Sequence, residues 1–234
     1  MPSGKFQLNF TLCYGFTGMR QIFILSPART SGERAQLLYN PHARFDLARR
    51  LHSGDRVPLA EIFSFLSGLY FRGKVTYAQQ FNRPPRGVPG IFVVTSHRGL
   101  LPVDVLVTLE ELREFSTVPV DPGDARYLEP LIRDSELLAR NIGHACRTVF
   151  LGSISTSRYV EPLLRSFGPH LLFPSEFVGR GDMSRGGLLL RAASEERELD
   201  YLPLQGAIRR GKRPGKLPPR RWGFKVMDGK TPLP

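Results

Sequence analysis

The sequence predicts an α/β fold with a mixed, mostly parallel sheet flanked by helices. Short apolar runs rich in β-branched and aromatic residues alternate along the chain with segments of helical periodicity, as in parallel α/β architectures. The chain has 234 residues and contains no internal repeat. No apolar run approaches the roughly 20 residues that a membrane-spanning helix needs. We therefore expect one α/β domain over residues 19–206.

Five short apolar runs predict the strands, and seven longer periodic segments predict the helices. The strands are expected at 21–25, 91–94, 148–151, 171–173 and 199–204. The helices are expected at 32–40, 42–52, 58–80, 108–116, 126–142, 156–167 and 184–196. The 58–80 pattern contains Gly68 and Gly73, which weaken a helix. It therefore predicts either one helix or two helices that meet within SGLYFRG.

The two ends of the chain differ from the domain between them. Residues 1–18 alternate loosely and predict either an edge strand or a segment upstream of a natural start at Met19. Residues 207–234 are rich in Pro and Gly and hold nine Lys and Arg against one acid, Asp228. This composition predicts a flexible basic tail attracted to phosphate polymers, with a merely solubilising end as the alternative.

Composition favours a cytoplasmic protein with a charge suited to nucleic acid. The formal net charge is +12, and residues 1–18 lack the apolar core of a secretion signal. Cys13 and Cys146 stand far apart, as expected of free thiols in a reducing compartment. The chain contains neither a metal-binding Cys/His spacing nor a dinucleotide or Walker motif. We therefore expect no metal, no cofactor and no membrane partner, and the sequence assigns no oligomeric state.

Hydroxyl, small and basic residues follow the predicted strands. Ligands of open α/β sheets bind beyond the carboxyl ends of the strands, so these residues are expected to share one basic cleft. Hydroxyls, helix N-terminal amides and guanidinium groups are good donors to phosphate. Any one of these hydroxyls could equally be an ordinary helix cap, so the joint pattern carries the prediction. The predicted phosphate-binding residues at these strand ends are Ser26, Arg29, Thr30, Ser96, Arg98, Ser153, Ser155, Arg158, Arg180 and Arg185.

Two further segments add candidates to this cleft. Tyr70 and Lys74 lie in a stretch of interleaved aromatic and basic residues that could stack on a base and hold a phosphate, or could simply be helix core and surface. Residues 177–193, FVGRGDMSRGGLLLRAA, place glycines and arginines ahead of an apolar helix. Asp182 or Ser184 is expected to cap that helix, and the glycines permit close approach of a ligand or another backbone.

Candidates for catalysis are few. His97 follows a predicted strand and is either a general base or a loop residue. Asp104 could orient His97, and Asp182 is the third candidate because it lies in the glycine-rich segment. No combination of these residues forms a recognisable catalytic motif.

Several short segments stand out: SPART at 26–30, SGLY at 67–70 and RGLLPVD at 98–104. SPART resembles the SPAKT, and SGLY with RGLLPVD resembles the LSGLYGLLRPLD, of the YaaA family of bacterial peroxide-stress proteins. The last two segments are contiguous in the family, whereas residues 71–97 separate them in this chain. A related group of uncharacterised bacterial and phage proteins has the same separation. LGSISTSRY at 151–159 and SRGGLLLRAA at 184–193 resemble two further family segments, so the resemblance covers most of 19–193.

The resemblance implies an α/β fold with a positively charged cleft, DNA binding and cytoplasmic protection against oxidative stress. Three departures limit what it implies about activity: Arg29 stands for the lysine of SPAKT, the lysines ahead of the last helix are absent, and one glutamate has no match. The implied site residues are Ser26, Arg29, Thr30, Ser67, Tyr70, Gly99, Pro102, Asp104, Ser153, Tyr159, Arg185 and Arg191.

Three functions remain open from sequence. The first is a nucleic-acid-binding protein, with DNA favoured over RNA, that holds phosphates in the cleft. The second is an enzyme acting on a nucleotide or on a base within nucleic acid, with arginines stabilising negative charge. The third is a scaffold that docks through its basic tail.

Overall fold

A computed structural model describes residues 19–215 and 217, and within them the predicted α/β class is confirmed. The strands are β1 (Arg20–Leu25), β2 (Val57–Pro58), β3 (Ile91–Val94), β4 (Leu100–Pro102), β5 (Leu106–Val107), β6 (Cys146–Leu151), β7 (Leu171–Pro174) and β8 (Tyr201–Pro203). The helices are α1 (Glu33–Tyr39), α2 (Asp46–His52), α3 (Leu59–Ser67), α4 (Leu69–Phe81), α5 (Leu109–Thr117), α6 (Ala125–Ile142), α7 (Ser157–Phe167) and α8 (Asp182–Ser194). Two 3₁₀ turns, Gly168–His170 and Ser175–Phe177, flank β7.

Six strands form a mixed sheet in the order β4-β3-β1-β6-β7-β8. The four central strands, β3, β1, β6 and β7, run parallel, and the two edge strands are antiparallel to their neighbours. The carboxyl ends of the parallel strands therefore lie at one edge of the sheet. That edge receives the loops after β1, β3 and β6.

The central strands are buried because each contains a run of consecutive apolar residues rather than an alternating pattern. In β1 every residue after Arg20 is buried, and all four residues of β3 are buried. Strands covered on both faces have this composition. The same continuity explains why these strands could be predicted from short runs alone.

The edge strands were harder to predict. The predicted strand at 199–204 is present only as β8, and β4 was missed because its three residues follow a glycine and end in proline. The separate two-stranded pairing of β2 with β5 was also missed. Pairings of two or three residues give no detectable period in sequence.

The 58–80 segment forms two helices. Gly68 lies between α3 and α4 with a φ of +61°, a conformation that favours glycine, so the chain turns there. None of the described helices is long and apolar enough to cross a membrane. The last helix begins earlier than expected, and its N-cap is Gly181 rather than Asp182 or Ser184.

The described part of the basic tail follows the surface of the domain. Arg209 forms an ion pair with Glu161 of α7 at 2.7 Å, and Leu217 packs against the core. A Cβ at Gly179 would meet the Lys212 carbonyl. Residues 207–215 and 217 thus contact the domain, where sequence predicted a flexible segment. The rest of the predicted tail, and the predicted N-terminal extension 1–18, lie outside the described residues.

Helices α4 and α8 cross at two glycines that bring their backbones together. A Cβ at Gly73 would lie 2.7 Å from the Gly186 carbonyl oxygen, and a Cβ at Gly186 would lie 2.8 Å from the Tyr70 Cα. Both neighbours are backbone atoms, which cannot move aside without separating the helices. The crossing therefore depends on glycine at both positions.

We expect Gly186→Ala to lower the free energy of unfolding by about 1–3 kcal/mol, because an added methyl overpacks this crossing. Gly187→Ala is the matched control in the same helix. A Cβ there meets nothing closer than 3.8 Å, so alanine should be neutral or stabilise the helix by up to ~1 kcal/mol. Urea unfolding measures both values, and equal stability of the two variants would contradict the assigned crossing.

Candidate functional site

A cleft of about 1150 Å³ opens at the carboxyl ends of β1, β3 and β6. We call it the strand-end cleft. Its lining comes from the loops after these strands, the adjoining parts of α3 and α4, the loop after α5, and the first turns of α7 and α8. The predicted residues that line it are Ser26, Arg29, Thr30, Ser67, Tyr70, Ser96, Ser153, Ser155, Arg158, Tyr159 and Asp182.

Hydroxyl groups and arginines dominate the polar lining of this cleft. Among the described residues, eleven serines and threonines line it, together with three arginines and two aspartates. The arginines, Arg29, Arg158 and Arg210, are all solvent-exposed. The cleft therefore presents many neutral hydrogen-bond donors and a few exposed cations.

Helix α7 directs its N-terminus into the cleft. Residues 155–159 all line it. Thr156 is the N-cap, but its hydroxyl donates to the Ser153 carbonyl at 3.3 Å instead of capping the helix amides. The first turn is fixed from below, since the Tyr127 hydroxyl donates to the Arg158 carbonyl at 2.8 Å. Helix amides that are not side-chain capped carry partial positive charge toward the cleft.

Lys74 lies behind the cleft wall rather than in it. Its side chain is 1% exposed, and its Nζ contacts the Ser26 carbonyl oxygen at 2.5 Å and the Ser26 Oγ at 3.0 Å. The Nζ also sits 4.7 Å from the ring centres of both Tyr70 and Phe71. Burial lowers the pKa of Lys74 to about 7, an effect that the carboxylate of Asp182 partly opposes. A large fraction of this amine is therefore neutral near neutral pH.

Tyr70 places an unsatisfied hydroxyl beside the same wall. The residue is 5% exposed, and its oxygen has no hydrogen-bond partner of acceptable geometry among the described residues. Burial raises the pKa of Tyr70, while the nearby Arg185 guanidinium lowers it without closing a well-formed hydrogen bond. A buried, unpartnered hydroxyl costs about 1–3 kcal/mol. Such a group on a cleft wall is suited to meet a ligand.

Arg185 and Asp182 hold the first turn of α8 against this wall. The buried Arg185 guanidinium donates to the Phe177 carbonyl at 3.2 Å and reaches the Asp182 carboxylate at 3.4 Å. It also lies 5.4 Å from the Phe177 ring centre. Arg185 thus holds the backbone ahead of α8 and pairs with the exposed carboxylate of Asp182 at the cleft.

The remaining predicted phosphate-binding arginines do not line the cleft. Arg98 pairs with Glu111 of α5 at 3.0 Å. Arg180 donates to the Glu176 carbonyl at 2.9 Å, and Arg191 lines a separate groove between α4 and α8. Their positions fit the packing of helices and loops better than contact with a ligand in the cleft.

Two of the catalytic candidates, His97 and Asp104, do not line the cleft. His97 packs near Phe115, and its closest carboxylate is that of Glu114 at 3.8 Å rather than that of Asp104. Burial lowers the pKa of His97. Asp104 is exposed in the turn between β4 and β5. Asp182 alone of the three reaches the cleft.

Sequence reasoning missed one wall of the cleft. Residues 116–122 line it, although none of them is among the site residues predicted from sequence. Arg210 also lines it, from a segment interpreted only as tail. Residues 116–122 follow α5 rather than a strand, and Arg210 follows β8, which runs antiparallel to its neighbour. The rule that located the loops after the parallel strands therefore applied to neither.

Comparison of the chain with protein-family models, with characterised proteins and with solved structures gives no match. Across residues 19–215 and 217, no group of three or more His, Cys, Asp or Glu side chains is arranged to hold a metal ion. The chemistry of the strand-end cleft is therefore inferred from its own residues.

The buried Lys74 predicts an unusual dependence of stability on pH. Its pKa is about 7 in the folded protein and near the ordinary 10.5 once unfolded. Between these values the unfolded chain binds more protons, so raising the pH stabilises the fold. We expect the free energy of unfolding to rise by about 1.5 kcal/mol from pH 7 to about 8.5. Urea titrations at each pH measure this rise. The measurement stays below the pH range in which Cys146 opposes the rise, because burial raises the pKa of that thiol to about 11.

Lys74→Met should abolish this rise, whereas Lys212→Met should keep it, because Lys212 is exposed in the tail. An unchanged rise in the Lys74→Met variant would mean that the amine remains charged in the folded protein.

Proposed function

We propose that this chain binds nucleic acid, DNA in preference to RNA, by holding a nucleotide and its phosphates in the strand-end cleft. The observation that carries the proposal is the convergence of three strand-end loops and the α7 N-terminus on one cavity rich in hydroxyls and arginines. Phosphate is the ligand whose charge and acceptor oxygens match that set of donors.

The size of the cleft supports a ligand larger than inorganic phosphate. Small-molecule sites span about 300–1,000 Å³, and this cleft holds about 1150 Å³. Phe63, Leu66 and Phe115 add an apolar part to its lining, against which a base can pack. A nucleotide within a strand combines such an apolar face with a phosphate on each side.

The preference for DNA rests on the resemblance to the YaaA family. The segments that carry it include Ser26, Arg29 and Thr30 after β1, and Ser153 and Tyr159 around the start of α7. All five line the cleft. The resemblance further suggests a role in protecting DNA under oxidative stress, in the cytoplasm.

An enzyme acting on a nucleotide is the second candidate. One observation favours it, the contact between a buried lysine of lowered pKa and a serine on the cleft wall. Buried groups with shifted pKa values concentrate at functional sites.

We expect the full-length Arg29→Ala/Arg158→Ala double variant to bind a fluorescent DNA strand more weakly than the wild-type chain. Each phosphate contact contributes about 0.7–0.9 to the slope of log affinity against log salt concentration. Loss of two contacts should therefore reduce that slope by about 1.4–1.8. Fluorescence anisotropy at several salt concentrations measures both quantities, and an RNA strand of the same sequence tests the preference for DNA.

Arg86→Ala combined with Arg44→Ala is the matched control, since it removes two exposed arginines outside the cleft lining. It should change the slope little. If both double variants lose the same affinity, binding follows net charge alone. The cleft would then have no specific role, and docking through the basic tail would be favoured.

A further inference from the structure

Ser26 stands between the buried amine of Lys74 and the strand-end cleft. Ser26 follows β1 directly and lines the cleft, while Lys74 reaches it from α4 behind the wall. The Nζ to Oγ distance of 3.0 Å is that of a hydrogen bond. The Ser26 hydroxyl is therefore the point at which the lysine can act on a bound ligand.

The Ser26 Oγ is the contact of the amine on the side of the cleft, and the Nζ donates to it when the amine is charged. One N–H donates to the Ser26 carbonyl at 2.5 Å. The rings of Tyr70 and Phe71 cover the amine, and it is buried from solvent. A neutral amine held in this way can accept the proton of Ser26, as an activating base does for a nucleophilic hydroxyl.

We propose that Ser26 is a nucleophile with Lys74 as its general base, and that the cleft cleaves a phosphodiester by phosphoryl transfer to Ser26. The choice of a phosphodiester as substrate rests on the proposed nucleic-acid binding; the nucleophilic pair itself does not.

The first step forms a bond from Ser26 Oγ to phosphorus as Lys74 takes the hydroxyl proton. The bond from phosphorus to the leaving oxygen breaks, and solvent protonates that oxygen. In the second step a water attacks phosphorus and releases its proton to solvent. The bond to Ser26 breaks as Lys74 returns the proton to Oγ. The net reaction consumes one water and yields a phosphomonoester and an alcohol.

The exposed arginines make phosphorus the favoured electrophile. Charge develops on the non-bridging oxygens during phosphoryl transfer, and its stabilisation by fixed cations and dipoles supplies most of the catalysis. Arg29 lies three residues after Ser26, and Arg158 lies in the first turn of α7, both on the cleft lining. Together with the helix amides they can neutralise a phosphoryl group placed against Ser26.

The test uses the full chain with bis(4-nitrophenyl) phosphate, following release of nitrophenolate. We expect a burst of product and a phosphoryl adduct on the Ser26 peptide in mass spectra. Ser26→Ala should lower the rate at least about 100-fold and abolish the adduct. Ser53→Ala, which changes an exposed serine after α2, should match the wild type. Wild-type turnover by Ser26→Ala, or the absence of any adduct, would overturn the proposal.

Lys74→Arg separates a base from a structural cation, since arginine keeps the charge but cannot be deprotonated. We expect it to be as inactive as Ser26→Ala. In the wild type the rate should fall as the pH drops below about 7, because Lys74 becomes protonated and can no longer accept the proton of Ser26. The other titratable or charged groups that face Lys74, and so affect the pH at which the rate falls, are Tyr70 on α4 and Asp182 and Arg185 on α8. Full activity of Lys74→Arg would overturn the assignment. Circular dichroism tests whether the Lys74→Arg variant folds. If it does not fold, the presence or absence of the adduct on Ser26 decides whether the proposal holds.

DNA binding and adduct formation are measured separately, so the proposed function and the nucleophilic pair can be contradicted independently. Ser26→Ala should form no adduct but keep the salt dependence of DNA binding, because it removes a neutral hydroxyl and no cation. A chain that forms the adduct without binding DNA would keep the nucleophilic pair and discard nucleic acid as its ligand. A chain that binds DNA and forms no adduct would keep nucleic acid as the ligand and discard the nucleophilic pair.

Discussion

The close crossing of α4 and α8 at Gly73 and Gly186 is the constraint on which the site depends. Because the two backbones touch there, Tyr70 and Lys74 on one helix lie against the Arg185 turn of the other. The same helix α4 contacts β1 and β3, which places Lys74 beneath Ser26. The position of the amine is thus fixed by packing between helices rather than by the loops that line the cleft.

The loops themselves are positioned by the parallel sheet. Three parallel strands end at one edge, so the residues that follow them meet although they are distant in sequence. Ser26, Ser96 and Ser153 each follow one of these strands and all reach the cleft. The α7 N-terminus follows directly from the loop after β6. Its amides therefore face the same cavity as the hydroxyls.

The core of the fold and the strand-end loops could be predicted from sequence, because buried parallel strands leave continuous apolar runs. The edge strands β4 and β8 and the β2–β5 pair could not be, since pairings this short have no period. The site was only partly predictable for a related reason. Lys74 was identified from its aromatic and basic neighbours, but its burial behind Ser26 depends on the crossing with α8. The wall at 116–122 depends on how α5 ends, and no local pattern encodes that.

The same burial that suits Lys74 to proton transfer carries a cost in stability. The ammonium group of lysine is strongly hydrated, so removing it from water disfavours its charged form. The rings of Tyr70 and Phe71 offset part of that cost by covering the amine, yet Tyr70 is itself left with an unpartnered hydroxyl. A domain selected only for stability would replace both groups with apolar side chains of similar size. An unpartnered Tyr70 hydroxyl on the cleft lining, beside a buried lysine that contacts Ser26, is better explained by a ligand in the cleft.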